Sequence, residues 1–509
     1  MSDNNPGKGN LDKLRELQQQ QALTLDAQRP EAVERRHEKG FRSARENLAD
    51  LVDADSFVEY GQLAVAAQRS RRTLEDLRRN TPADGVITGL ATINAEQFGE
   101  QDAATAVIVN DYTVLAGTQG FFHHMKLDRI LHVARERKLP TVMYTEGGGG
   151  RPGDTDNILG GGGLAVSSFV EWARLCNVVP TIAVNNGYCF AGNAALFGCA
   201  DVRIATRSSW IGMAGPAMIE GGGLGRFDPK DIGPTAVQSR NAVIDLVADD
   251  EAHATSLAQR VLAYTQGDVT DWSCADQESL RTALPADRRF AYDVRSVINT
   301  LADIDSFTEL TREFGGAVIT GFMRIEGRSM GLIANDCRVL GGAIDCDASD
   351  KTARFISLCQ KLELPLVSLC DTPGFMVGPD SETQAAARRM AELFRAGASL
   401  QIPLVTIVLR KAYGLGAMAM AGGSLAIPVL TAAWPTGETG PMGLEGAVRL
   451  GFKKELEAET DPQAREALFN SLVEELYEKG KATESAAATE IDAVIDPMET
   501  RKVILRALA

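Results

Sequence analysis

Histidine is scarce in this chain of 509 residues: there are five, His37, His123, His124, His132 and His253, all in the first half. A histidine-dependent site in the second half would have to borrow its imidazole from elsewhere. With no Gly-x-Ser-x-Gly turn either, a serine hydrolase is a poor fit. The eight cysteines (Cys176, Cys189, Cys199, Cys274, Cys337, Cys346, Cys359 and Cys370) never form a CxxC pair. That spacing excludes a zinc ribbon with paired CxxC ligands and leaves most of them as small buried hydrophobes. No metal is expected. No apolar run approaches the roughly 18 residues of a membrane span, and the first residues, MSDNNPGKGNLDKLRELQQQQ, are too polar for a secretory signal. The expectation is a cytoplasmic protein with no membrane partner. Positive charge is also in deficit, 52 Lys plus Arg against 68 Asp plus Glu, a net of −16. A broad nucleic-acid surface needs the opposite balance. One basic cluster remains: Arg69, Arg71, Arg72, Arg78 and Arg79. It reads as a solvated helix face, or as phosphate contacts to a nucleotide-bearing substrate.

What the chain has is a repeat. Asp55-Ser56-Phe57-Val58-Glu59 returns as Asp305-Ser306-Phe307-Thr308-Glu309, and Val86-Ile87-Thr88-Gly89 returns unchanged at 318–321. Asn110-Asp111, Lys126 and Leu139-Pro140 return as Asn335-Asp336, Lys351 and Leu364-Pro365 at one offset of 225 residues. Five elements in one order make two homologous halves, the first thing a repeat search tests. Each half reads as α/β: the apolar runs ATAVIVND and TVMYTE flank the helical pattern KLDRILHVARERKL, and MGLIAND and LPLVSLCD flank DKTARFISLCQKLEL. Such alternation implies parallel strands joined by crossovers. The expected domains are a polar N-terminal arm at 1–30, a first domain at 31–285 and a second at 286–509.

In each half a further strand runs through a small-residue turn into an apolar helix: PTIAVNNGYCFAGNAALFG and PLVTIVLRKAYGLGAMAMAGG. A helix start presents unpaired N–H groups and partial positive charge, and small residues let a substrate oxygen approach them. Paired N–H groups on one oxygen form an oxyanion hole, worth about 3 kcal/mol per donor as negative charge develops. Close packing of strand on helix explains one such turn equally well; two at matching places fit a two-substrate reaction better. Glycine tracts at 147–150 (before Arg151), 160–163 and 221–223 add unusual backbone, the last two reading as surface loops. None precedes Lys-Ser/Thr as in a phosphate loop. Ala417-Met418-Ala419-Met420 outlines a biotin attachment site but lacks the lysine, so any biotin must come from another chain.

RKAYGLGAMAMAGG (410–423), AWPTGETGPMGLEGAV (433–448), DASDKTARFISLCQKLELPLVSLCDTPGFMVG (347–378) and GGGGRPGD (147–154) together resemble the carboxyltransferase β subunits of biotin-dependent acyl-CoA carboxylases. The resemblance spans roughly residues 45–505. It implies two tandem crotonase-like α/β domains with twisted sheet cores, a hexamer built as a trimer of dimers, and a biotin carboxylase and biotin carrier as partners. It implies acyl-CoA on the first half and biotin on the second. The acyl oxyanion would then be held around Ala191 and Gly192, the biotin ureido oxygen at Leu415 and Gly416. Substrate contacts would come from Gly148, Gly149, Arg151, Phe190, Gly374, Phe375, Tyr413 and Met418. CO2 would pass from carboxybiotin to the acyl α-carbon with no side-chain base. The chain departs from the family's usual glycine pairs at Phe190-Ala191-Gly192-Asn193 and Gly414-Leu415-Gly416, and its Gly-Leu-Gly resembles the methylcrotonyl-CoA and multidomain long-chain branch. Met418 takes a position that sets acyl specificity in that family, and it reads equally as the lining of an acyl pocket or as core. A biotin-dependent decarboxylase subunit and a non-catalytic scaffold are the alternatives; a crotonase-type hydratase would need positioned carboxylates and no second oxyanion hole.

Overall fold

The computed structural model describes residues 8–156 and 164–509, which leaves the glycine tract at 160–163 outside the described residues. Packing divides the chain into two units, Met1–Gln266 and Gly267–Ala509. The division falls ahead of the expected join at 285/286 because the intervening residues pack on the second unit. Leu280 is buried with Ile298 and Leu301, and the Ile304 N–H donates to the Ser273 carbonyl at 2.8 Å. The polar N-terminal arm is helical over Lys8–Ala22.

The first unit holds β1 (Val58–Tyr60), β2 (Val86–Thr92), β3 (Ala104–Asn110), β4 (Thr141–Tyr144), β5 (Thr181–Asn185), β6 (Tyr188–Phe190), β7 (Val202–Thr206), β8 (Trp210–Gly212) and β9 (Leu246–Ala248). Its main sheet runs β1-β2-β3-β4-β5-β7-β9, while β6 and β8 pair apart from it. The second unit holds β10 (Thr308–Leu310), β11 (Val318–Ile325), β12 (Arg328–Asn335), β13 (Leu366–Thr372), β14 (Leu404–Tyr413), β15 (Leu430–Ala433), β16 (Glu438–Gly440) and β17 (Ala493–Val494). Its sheet runs β10-β11-β12-β13-β14-β15-β17, with β16 on the far end of β14. Each sheet opens antiparallel through its first three strands and is parallel thereafter. The expected parallel units are present; the antiparallel start is an addition that the spacing did not reveal.

The apolar runs form the buried strands, since side chains on both faces of a helix-covered sheet leave water. Val86, Ala106, Ile108 and Met143 pack with Leu127, Ile130 and Leu131 of the helix Phe121–Glu136; Ile319, Leu332, Val367 and Ile407 form the corresponding core of the second unit. The duplication extends to buried charge. Arg45 grips Glu59 at 2.7 and 3.0 Å, and Arg295 grips Glu309 at 2.9 and 2.5 Å. Lys126 and Lys351, one on each crossover helix, donate to the carbonyls of Ala83 (2.8 Å) and Phe314 (3.0 Å). Burial pushes both amines down to about 8.

Candidate active site

The ladders align the two halves strand by strand. Thr141 pairs with Thr181 on β4 and β5, and Leu366 with Leu404 on β13 and β14. Leu366 stands 225 residues after Thr141, but Leu404 stands only 223 after Thr181. The isolated bridge Gly147–Cys189 and the pair Thr372–Ala412 repeat the same shift. By geometry Ala191 is therefore the counterpart of Gly414, Gly192 of Leu415, and Asn193 of Gly416. Both junction residues take a positive φ, 52° at Ala191 and 57° at Gly414. An alanine held there is strained by about 1–3 kcal/mol, so the surroundings enforce this turn.

In the first unit the Ala191 N–H donates to the Gly212 carbonyl at 3.0 Å, which commits one of the two amides expected to face substrate. The helix Gly192–Cys199 follows. Its first two N–H groups, of Gly192 and Asn193, make no hydrogen bond among the described residues. The open pair is thus Gly192 and Asn193, one residue along from the expected Ala191 and Gly192. Asn193 was missed by the sequence reading; its side chain donates to the Gly117 carbonyl at 3.1 Å. Gln119 was missed too. It is 3% exposed with an unpartnered Nε2, and a Cβ on Gly192 would stand 2.4 Å from its Oε1.

The segment Gly147–Arg151 braces this turn. The Gly147 N–H donates to the Tyr188 carbonyl (2.7 Å), the Phe190 N–H to the Gly147 carbonyl (2.9 Å), and the Gln119 N–H to the Gly149 carbonyl (2.7 Å). Gly148 donates to the Ala116 carbonyl at 3.0 Å. Gly149 has φ 85°, and a Cβ there would meet the Ala191 Cβ at 2.7 Å. Arg151 points inward. Its side chain is 3% exposed and binds the Asp84 carboxylate, the Thr118 carbonyl (2.7 Å) and the Thr118 hydroxyl (3.3 Å). Asp84 and Asp154 accept from the His123 and Phe121 N–H groups at 2.7 and 2.9 Å. They supply the start of helix Phe121–Glu136 with the caps its own Gly120 cannot give. Arg151 thus neutralises a capping pair. Phe190 is buried as well, stacked on Tyr188 at 5.8 Å. Of the basic cluster, Arg72 pairs with Asp76, while Arg69, Arg71 and Arg79 stay exposed.

In the second unit β14 ends at Tyr413 and the helix Gly414–Met420 begins at once. The Leu415 and Gly416 N–H groups make no hydrogen bond among the described residues. Leu415 is 60% exposed and Met418 37%. Gly416 lies against the Gly374–Phe375 backbone: a Cβ would stand 2.7 Å from the Gly374 Cα and 3.0 Å from the Phe375 N. That backbone is pinned by Ile344, whose N–H donates to the Gly374 carbonyl at 3.0 Å. Gly416 therefore meets Gly374 and Phe375, while Leu415 and Met418 lie on the same short helix, partly open to solvent. Tyr413 does not join them. It is 2% exposed, inside the fold, where burial raises its phenol.

Each unit also buries a carboxylate at the same strand end. Arg36 holds Glu146 at 3.0 and 2.7 Å, and Arg410 holds Asp371 at 2.9 Å. Burial pushes the Glu146 carboxyl up to about 7 even so. Among the described residues no group of three or more His, Cys, Asp or Glu is placed to hold a metal, and no helix is long and apolar enough to cross a membrane.

Residues 35–509 match the carboxyl transferase domain family. The chain is 32% identical to the methylmalonyl-CoA carboxyltransferase 12S subunit of Propionibacterium freudenreichii subsp. shermanii, covering 94% of this chain and 90% of that protein. It is 31% identical to the biotin-dependent long chain acyl-coenzyme A carboxylase beta4 subunit of Mycobacterium tuberculosis, covering 98% and 94%. Among solved structures it is similar to a single-chain, multi-domain long-chain acyl-CoA carboxylase, with TM-score 0.93 and 54% identity over 97% of this chain. It spans about half, 48%, of that longer protein. It is also similar to the transcarboxylase 12S hexamer with methylmalonyl-coenzyme A bound, with TM-score 0.83 and 29% identity. The motifs, the duplicated crotonase-like α/β fold and these likenesses agree, and the chain belongs to the carboxyl transferase domain family.

Proposed function

We propose that this chain is the carboxyltransferase component of a biotin-dependent acyl-CoA carboxylase. One observation carries the reading: each unit offers a strand-to-helix turn with two adjacent uncommitted amides, set in the same positive-φ geometry. In the first unit, Gly192 and Asn193 hold the thioester oxygen as an enolate forms at the α-carbon. In the second, Leu415 and Gly416 hold the biotin ureido oxygen; the open amides beside exposed Leu415 and Met418 fit that group. Biotin, brought by a carrier on another chain, supplies the carboxyl group and the base for the α-proton. Each amide contributes about 3 kcal/mol as charge grows on its oxygen, and none has to reorganise to do so. That suits a chain whose second half holds no histidine. The first unit is then the acyl-CoA side and the second the biotin side, with Phe375 and Met418 lining the approach.

The finer assignments rest on the relatives. The 54%-identical neighbour is described as a long-chain acyl-CoA carboxylase, which favours a long-chain acyl-CoA here. The 12S relative is described as a hexamer, which favours a hexamer here, and the beta4 relative is described as biotin-dependent, which favours biotin arriving on a partner. The test mixes purified protein with free biotin and a series of 2-carboxyacyl-CoA esters and follows biotin-dependent decarboxylation. Turnover that vanishes without biotin supports the reading. No turnover with any ester, at any chain length, removes it.

A further inference from the structure

Each turn is carried on a short two-strand platform, and the two platforms are built from different chemistry. In the first unit β6 pairs with β8 in parallel, Tyr188 opposite Trp210 and Phe190 opposite Gly212. In the second the end of β14 pairs with β16 in parallel, Lys411 opposite Glu438 and Tyr413 opposite Gly440. Both glycines make room for the ring that precedes the turn. A Cβ on Gly212 would stand 3.7 Å from the Phe190 ring, and one on Gly440 3.4 Å from the Tyr413 ring. Phe190 thus corresponds to Tyr413, and Trp210 to Glu438. The first platform is an aromatic stack, with Tyr188 against Trp210 at 4.9 Å and against Phe190 at 5.8 Å. The second holds, in place of the indole, an acid that is 1% exposed.

This acid lacks a close cation. Neither Glu438 oxygen nor the Tyr413 hydroxyl has a hydrogen-bond partner of good geometry among the described residues, although phenol and carboxyl lie within reach of each other. Arg288 stops 3.7 Å from Glu438 and makes its 2.9 Å bond to Glu445, on the helix Leu444–Gly451. It also lies over the Tyr477 ring of the helix Pro462–Gly480. Lys411 donates to the Gly341 carbonyl at 3.0 Å, Lys481 pairs with Glu478, and Asp371 is held by Arg410. A bare carboxylate would be stranded there, and burial raises the Glu438 carboxyl above its ordinary range against the pull of Arg288. As the neutral acid it has one O–H to donate, which the Tyr413 oxygen can accept.

Resting on the carboxyltransferase reading, we propose that Glu438 is a positioning residue for the second turn: as the neutral acid it anchors the Tyr413 phenol, which fixes the end of β14 and so the aim of the Leu415 and Gly416 amides. Neutrality matters as much as the anchor. Those amides hold an oxygen on which negative charge grows, and a carboxylate one strand away would oppose it. The first unit shows that an aromatic stack can hold such a turn. The acid adds what the stack lacks, a response to pH.

The test uses the full chain and free biotin and follows decarboxylation of malonyl-CoA or 2-carboxypalmitoyl-CoA, whichever wild type turns over, from neutral to alkaline pH. Glu438→Ala and Tyr413→Phe each remove the anchor. They should lower kcat about five- to tenfold, the worth of one buried hydrogen bond, with the KM for the CoA ester held within about twofold. Glu438→Gln keeps the shape and a donor but does not titrate. It should restore most of the kcat that Glu438→Ala loses, and its kcat relative to wild type should rise with pH as the wild-type acid ionises. A Gln variant as slow as the Ala variant, Tyr413→Phe at the wild-type rate, or a Gln to wild-type ratio flat across pH would overturn the proposal. So would a KM for the ester that rises in step with the fall in kcat. Infrared difference spectra add a readout without turnover: at neutral pH wild type should show a protonated-carboxyl band that Glu438→Gln lacks, and two identical spectra overturn the neutral acid. An active wild type with unmoved variants removes the positioning role alone, whereas a wild type that turns over no ester removes the carboxyltransferase reading and the role with it.

Discussion

Replacing Arg151 by alanine removes a guanidinium from a place where its carboxylate partner cannot reach water. Asp84 is 0% exposed and Arg151 3%, and the Thr118 carbonyl loses its 2.7 Å donor at the same time. Removing one member of a buried pair costs about 3–5 kcal/mol, because the remaining charge is stranded. A domain the size of the first unit, Met1–Gln266, loses about 2–4 °C of melting temperature per kcal/mol. Arg151→Ala should therefore lower its melting temperature by roughly 6–20 °C. Burial already pushes the Asp84 carboxyl up, against the pull of Arg151. Without the arginine, Asp84 can escape its charge by binding a proton, so the loss should be smaller at acid pH than at alkaline pH. Calorimetry across pH measures both effects. Steady-state kinetics then separates the residue's two roles. As a brace for the Gly147–Arg151 segment it affects kcat through the turn that segment supports; as a ligand contact it would raise the KM for the CoA ester. A variant that melts within about 2 °C of wild type while its KM for the ester rises tenfold would refute the clamp.

Gly416→Pro deletes an amide that the proposed function assigns to the biotin oxygen and should cut kcat about 10²–10³-fold with little change in the KM for acyl-CoA; unchanged kcat would displace the second oxyanion hole from this turn. Gly149→Ala places a methyl 2.7 Å from the Ala191 Cβ at a φ of 85°, so a destabilisation of about 1–3 kcal/mol and a lower kcat are expected together. A melting temperature and rate equal to wild type would show that the first turn tolerates displacement. Glu146 is raised by burial to about 7 from 4.5. Its folded state therefore binds the proton more tightly, and its stabilising contribution is complete below about pH 4.5 and lost as pH rises through about 7. The stability advantage of wild type over Glu146→Gln should shrink between pH 5 and pH 7 in thermal melts, and an advantage that grows over that interval contradicts the assignment.

The duplication was legible because it was written several times over. Asp55–Glu59, Val86–Gly89 and Lys126 each repeat in a second context, and the strands they flank, Ala104–Asn110 and Arg328–Asn335, formed where the apolar runs stood. The two turns were legible for the same reason. Their register was not. The halves differ in length by two residues between β4 and β5 on one side and β13 and β14 on the other, so the offset that fits Asn110 and Lys126 misplaces Ala191. Nor does a chain pattern say which glycine neighbours face a ligand. Arg151 follows a turn motif and Phe190 and Tyr413 each precede one, yet all three side chains are buried. Arg151 turns inward because Asp84, at a φ of 50°, offers it a carboxylate from a loop 67 residues earlier.

Ala191 makes the case that the turn itself, and not its residue type, is what the two halves keep in common. Glycine would take a φ of 52° without strain, and its counterpart Gly414 does so at 57°. The first unit instead holds an alanine there and restrains it from several sides: the Gly212 carbonyl takes its N–H, Gly149 leaves no room for a side chain beside its Cβ, and Gly147 fixes Phe190 before it. Packing of a small residue against a strand would be satisfied by many backbone conformations. A positive φ, kept after the two-residue slip and with different side chains at every position of the turn, is explained by what it controls, which is the direction of the next two amides. Gly192 and Asn193 in one unit, and Leu415 and Gly416 in the other, differ in all but backbone, and only the backbone is needed to stabilise an oxyanion.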